Sequence, residues 1–93
     1  MDSKPSASQI RPMDRSFVKS AFGNRLRELR QQRGWSQEEF ALCVGLDRSY
    51  VGGVERGERN VSLENICLLA QALEIPVADL FLKWPSSVKG KVK

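Results

Sequence analysis

Apolar positions in this chain recur at helical spacing, and no run alternates with period two clearly enough for a sheet. Val18, Phe22, Leu26 and Leu29 are spaced four, four and three apart, which predicts an amphipathic helix from Ser16 to Arg33, ended by Gly34. Ser36 followed by Glu39 reads as a capping box that starts a second helix carrying Phe40, Ala41 and Val44 and stopping at Gly45. Asp47 is placed to accept from the amides of a third helix, which runs through Tyr50, Val51 and Val54 to Arg56, with Gly57 as a left-handed cap. Ser62 is an N-cap for a fourth, whose buried face is expected to be Leu63, Ile66, Leu69, Ala70 and Leu73, with Cys67 adding width. Ile75 and Pro76 break the chain. Pro76 suits a first helical position, and Val77 to Leu82 make a short fifth helix carrying Leu80 and Phe81. The fold class is all-α, five helices around one core.

The second and third helices are joined by a turn too short for them to lie antiparallel. They must cross steeply, as in a helix-turn-helix whose second member can enter a major groove. Trp35, directly after Gly34, is a cover over the core between the first and second helices. Residues 1–15, rich in Ser, Pro and charge, read as a flexible arm, residues 16–84 as the domain, and residues 85–93 as a basic tail. Lys4, Arg11 and Arg15 of the arm either lie along nucleic acid or are simply solvated.

With 93 residues there is room for one domain, and its net charge of +4 with no histidine suits a polyanionic partner without requiring one. Cys43 and Cys67 fall within apolar helical patterns, without the second cysteine or histidine that a metal site needs, and are expected to be core thiols in a reducing cytoplasm. No apolar run serves as a secretory signal or reaches the roughly 18 residues that span a bilayer, so a soluble cytoplasmic protein is expected. Lys19, Arg25, Arg27 and Arg33 crowd the face of the first helix opposite its apolar stripe, as a solvated or a functional surface. Arg30 lies close to the stripe and needs a partner if buried, for which Glu55 is the candidate.

From about Phe22 to Phe81 the chain resembles the Cro and phage-repressor type of helix-turn-helix domain, the XRE family. The likeness rests on Ser36-Gln37 opening the second helix, Ala41 and Gly45 within the motif, Glu55 with Gly57, and the later LAQALEIPVADLF. The stretch LDRSYVGGVERGERNVSLENI is most similar to controller proteins of restriction-modification systems. The resemblance implies that Gln37, with Ser36 and the amide end of their helix, contacts a phosphate, and that Glu55 forms a structural ion pair with Arg30. Elementary chemistry agrees on the first point, because a helix N-terminus favours anions.

The third helix would present its first turn to base edges, so Arg48, Ser49 and Tyr50 are the candidate base-contacting residues. Arg48 leads, because its fork matches the two acceptors of guanine. Tyr50 is open between DNA contact and packing. Arg56, Arg59, Asn60 and Ser62 form a candidate second phosphate clamp. Gly52 and Gly53 stand where the better known phage repressors commonly carry polar side chains, and serve either close approach to DNA or close packing inside the protein. Ile75, Pro76, Leu80, Phe81 and Trp84 are more apolar side chains than one short last helix needs, which suggests a homodimer interface.

These features imply a non-enzymatic regulator of transcription that binds a pseudo-palindromic operator in double-stranded DNA as a homodimer. No cofactor, metal, membrane or small-molecule ligand is expected. The rival is a protein-interaction module that keeps the helix-turn-helix as a scaffold, as antitoxins and coactivator bridging proteins do.

Overall fold

The computed structural model of the protein describes residues 15–85, so most of the expected arm, with Lys4 and Arg11, and most of the basic tail lie outside the described residues. Four α-helices follow one another: α1 (Arg15–Gln32), α2 (Gln37–Val44), α3 (Arg48–Glu55) and α4 (Leu63–Leu73). The expected fifth α-helix is a 3-10 turn, Val77–Phe81. Glu74 in the left-handed region and the extended Pro76 swing the chain back over the core, and the backbone is extended again at Leu82. That leaves five residues, too few to repay an α-helical nucleus, and they close i-to-i+3 bonds such as Asp79 N–H to the Pro76 carbonyl at 2.9 Å.

The stops and starts follow local chemistry. Ser36 Oγ accepts from the Glu39 amide at 3.0 Å while Glu39 Oε1 accepts from the Ser36 amide at 2.8 Å, a reciprocal capping box. Ser62 Oγ caps α4 by accepting from Asn65 N–H at 3.1 Å. Gly45 and Gly57 take left-handed φ values of 84° and 78°, which let α2 and α3 end without a Cβ clash. Asp47 has N-cap dihedrals, yet its side chain accepts no amide of α3. The start of α3 is exposed, so those donors are open to solvent.

Phe22, Leu26 and Leu29 of α1 pack with Phe40, Ala41, Val51, Val54, Leu69, Ala70, Leu73 and Leu80 into one core. Trp35 is half-buried over it, stacked on Phe40 with centroids 5.8 Å apart. Two expectations for buried residues fail. Leu63 is 75% exposed, because the core-facing arc of α4 runs through Ile66, Leu69, Ala70 and Leu73 and its first turn overhangs the end of the core. Cys43 and Cys67 are both exposed free thiols rather than core thiols, each on the flank of its helix outside that arc.

The crowded basic face of α1 is structural over most of its length. Arg25 Nε donates to the Asp79 carbonyl at 2.9 Å, Arg27 Nη2 to the Glu55 carbonyl at 3.2 Å, and Arg33 Nη1 to the Leu73 carbonyl at 2.9 Å. Arg27 and Arg33 thus close the C-terminal ends of α3 and α4, where unpaired carbonyls and the helix dipole favour a cation, and Arg25 adds a second donor to the Asp79 carbonyl of the 3-10 turn. Beside them Gly23 lets α1 cross the end of α3 closely. A Cβ at Gly23 would lie 2.3 Å from the Val54 carbonyl oxygen and 2.6 Å from that of Glu55. Gly23→Ala should therefore destabilise the fold by about 1–3 kcal/mol in urea denaturation, despite the roughly 1 kcal/mol that Ala gains over Gly in a helix interior. Equal or higher stability would show that α1 and α3 can separate without cost.

Candidate nucleic-acid interface

The junction of α2 with α3 is held by one carboxylate. Glu55, 1% exposed, accepts from Arg30 Nε at 2.7 Å and Arg30 Nη2 at 3.0 Å, a bidentate pair. Gln37 Nε2 donates to Glu55 Oε1 at 3.0 Å, and Arg27 Nε lies 3.6 Å from the same oxygen. The third arm of the Arg30 guanidinium donates to the Trp35 carbonyl at 2.7 Å. The end of α3 is thereby tied to α1, to the first residue of α2, and to the turn before it. Both oxygens of the buried charge accept hydrogen bonds, one on Oε2 and two on Oε1, the condition under which such a charge is tolerated in a small core.

Beyond this junction the first turn of α3 faces solvent. Arg48 and Ser49, in its first turn, are both exposed. Tyr50 is half-buried: its ring packs against the core and its hydroxyl accepts from Asn65 Nδ2 at 3.1 Å, so α4 fixes its orientation. The Arg59 guanidinium lies 5.7 Å from the centroid of that ring. Arg56 makes a bidentate pair with Glu58, Nε to Oε2 at 3.0 Å and Nη2 to Oε1 at 3.2 Å. Those bonds hold the Glu58 carboxyl below its ordinary pKa and raise that of Arg56. Asn60 is exposed beside them.

Among the expected phosphate ligands, the Ser36 and Ser62 hydroxyls accept from their own helices and each keeps a proton to donate outward. Gln37 spends one Nε2 proton on Glu55 and has one left. Ser36, Gln37, Arg48, Ser49, Arg56 and Arg59 all belong to α2, α3, their caps or the loop beyond α3. Sequence reasoning missed Arg27 in the Glu55 junction, Asn65 behind Tyr50, and Glu58 on Arg56. Only Arg27 left a trace, standing three residues before Arg30 and so on the same side of α1.

The expected interface residues divide. Leu80 is fully buried in the core, so it cannot also face a partner: the 3-10 turn aims it inward to fill the space between α1 and α4. Ile75 is half-buried against the core and Pro76 is exposed. Phe81 is 41% exposed and lies between Phe22 and Trp84, at centroid distances of 5.5 and 5.7 Å. Together with exposed Val77 and Leu82, Phe81 and Trp84 give this end of the molecule an apolar surface.

The helix-turn-helix family profile matches residues 26–80 of the chain. Control protein C.MunI of Mycoplasma sp is 43% identical over 65 residues, covering 69% of this chain and 88% of that protein. The chain belongs to the XRE-type helix-turn-helix family of DNA-binding transcription regulators. Among solved structures, the restriction-modification controller protein C.AhdI from Aeromonas hydrophila superposes with a TM-score of 0.68 at 62% identity, covering 69% of this chain and 97% of that one. The restriction-modification controller C.Esp1396I, solved as a tetramer with its natural 35 base-pair operator, matches at 31% identity and a TM-score of 0.65 over 70% of this chain and 86% of its own.

No enzymatic family is indicated by these relatives. Among the described residues no helix is long and apolar enough to cross a membrane, and no cluster of three metal-ligating side chains occurs. The junction and the exposed face should separate experimentally. Glu55→Leu, which leaves Arg30 buried without its counter-charge, should lose about 3–5 kcal/mol of unfolding free energy, whereas Arg48→Ala should change it by less than about 0.5 kcal/mol. Denaturant titration of both variants checks this, and a native-like Glu55→Leu would remove the junction from the account.

Proposed function

We propose that the protein is a controller-type regulator that binds a pseudo-palindromic operator as a homodimer, with the first turn of α3 in the major groove. The observation that carries the reading is the exposure of Arg48 and Ser49 at the start of a helix whose other end is clamped by a buried ion pair. A base-reading group must be free at its tip and fixed at its root, since a loosely held side chain loses entropy on binding. Arg48 would take guanine through O6 and N7, Ser49 a base edge or phosphate, and Tyr50 the adjoining sugar or a thymine methyl. The amide end of α2 with Ser36 and Gln37 would hold phosphate on one side of the groove, and Arg56, Arg59, Asn60 and Ser62 on the other.

A single module of this size covers too little DNA for useful selectivity, so pairing through the surface of Phe81 and Trp84 is part of the reading. Pairing would set two copies of α3 about 34 Å apart on the duplex. The similarity to C.Esp1396I, solved on its operator, and to C.AhdI supports the assignment to restriction-modification control.

Selection of bound sequences from a random duplex pool at about 150 mM salt, where phosphate attraction alone is weakened, tests this reading. The native protein should enrich a two-fold symmetric motif. Arg48→Ala should lose information at guanine positions, with a discrimination penalty of about 1–3 kcal/mol per site. No enrichment by the native protein would sink the reading in favour of a protein-interaction module. In sedimentation, Phe81→Asp should shift the native dimer to monomer and weaken operator binding. A variant that remains dimeric would move the interface elsewhere.

A further inference from the structure

We propose that Gly53 sets the DNA affinity of this chain without touching a base, by leaving open on α3 the space in which the Arg59 side chain lies. The inference rests on the operator-binding reading above and adds to it a residue that governs how a second arginine reaches the reading face. Val51, Val54 and Glu55 face the core, so the helical period puts Gly52 and Gly53 on the opposite, outward side, one turn beyond Arg48 and Ser49. Both glycines are nevertheless buried. What covers them is not a packed helix but long polar side chains that fold back over them.

A Cβ at Gly53 would stand 3.0 Å from Arg59 Cγ, 3.2 Å from its Nε and 3.7 Å from its Cδ, so the whole aliphatic stem of Arg59 runs across this one position. Gly52 has the same relation to other side chains: its Cβ would lie 3.1 Å from Arg56 Nη1 and 3.3 Å from Gln37 Oε1. Gly23 shows what a glycine required by the fold looks like, for there the neighbours are backbone carbonyls at 2.3 and 2.6 Å. At Gly53 the fold can keep its backbone and accept a methyl group if Arg59 moves.

The seat has two parts. Gly53 is the floor under the stem, and the Tyr50 ring, fixed by Asn65, is the wall against which the guanidinium rests at 5.7 Å. A side chain that begins in the loop after α3 is thus carried back over the helix to the level of its first turn. The two glycine-seated arginines are not equivalent. Arg56 has its Nε and Nη2 engaged by Glu58. Arg59 has no carboxylate within 4.0 Å among the described residues, so of these two arginines it is the one whose whole fork can turn to DNA, while Arg56 has only Nη1 outside its pair with Glu58. Replacing Gly53 with Ala obliges the Arg59 stem to give by a few tenths of an ångström and so changes how its guanidinium sits on the Tyr50 ring, while improving the helix propensity of the site.

The test is a double-mutant cycle on the operator selected by the native protein, comparing native, Gly53→Ala, Arg59→Ala and the double variant by fluorescence anisotropy, with thermal melts in parallel. Gly53→Ala should melt no lower than the native protein and bind about ten-fold more weakly, the order of one lost arginine contact. The double variant should bind no more weakly than Arg59→Ala alone.

Native-like binding by Gly53→Ala overturns the proposal. So do losses that add in the double variant, which would mean that DNA approaches the glycine backbone itself. A Gly53→Ala melting well below the native protein makes the position a packing requirement and overturns it too. If the native protein selects no duplex, the operator-binding reading fails and this proposal falls with it, whereas a native protein that binds beside an unaffected Gly53→Ala defeats this proposal alone.

Discussion

Glu55 is a charged side chain in the centre of a small protein, where an unpaired carboxylate would favour unfolding or protonation over burial. It is tolerated because Arg30 meets it with two parallel bonds, Gln37 supplies a third and Arg27 stands nearby, each from a different direction. Those directions are geometrically demanding. An apolar core alone would let α2 and α3 slide or rotate by small amounts at little cost, whereas this junction is satisfied only when the first residue of α2 and the last of α3 meet at one place. That meeting fixes the end of α3 against the start of α2, while Arg48 and Ser49 at the other end of α3 stay exposed.

The positive charge of the chain has two destinations. Arg25, Arg27 and Arg33 point into the protein's own carbonyls in the 3-10 turn and at the ends of α3 and α4, where Arg27 and Arg33 do for a C-terminus what a capping glycine does by conformation. Arg48, Arg56 and Arg59 remain on and beside the outward side of α3. A net charge of +4 therefore overstates neither the attraction for DNA nor the stability of the fold. It mixes the two, and only the hydrogen-bond partners sort one arginine from another. The Arg56–Glu58 pair is a third case, a cation on the exposed face already held by an anion of the same loop.

The glycines divide in a similar way. Gly45 and Gly57 are used for left-handed backbone, Gly23 for the distance between two helices, and Gly52 and Gly53 for room beneath long side chains. These are three different physical reasons for the same residue. The first is local and shows in a sequence as a helix stop. The second and third depend on what lies across from the glycine, and a sequence does not carry that.

Helices α1 to α4 were legible because their signals are short-range: a capping box, apolar residues at spacings of three and four, and a glycine after the last turn. The pairing of Arg30 with Glu55 was within reach because an arginine beside an apolar stripe needs a partner if buried, and the family resemblance pointed to Glu55. What the sequence could not decide was phase and direction. It placed Leu63, Cys43 and Cys67 within apolar patterns, but their exposure depends on which arc of each helix its neighbours cover. It marked a helical segment after Pro76, but five residues caught between two extended ones close into a 3-10 turn, which then aims Leu80 inward and leaves Phe81 at the surface. The sequence by itself determined which segments coil and where they stop, because those energies arise within one or two turns of chain. Only the tertiary structure decided which arginines bind the protein and which face outward, because that depends on carbonyls and carboxylates brought from distant parts of the chain.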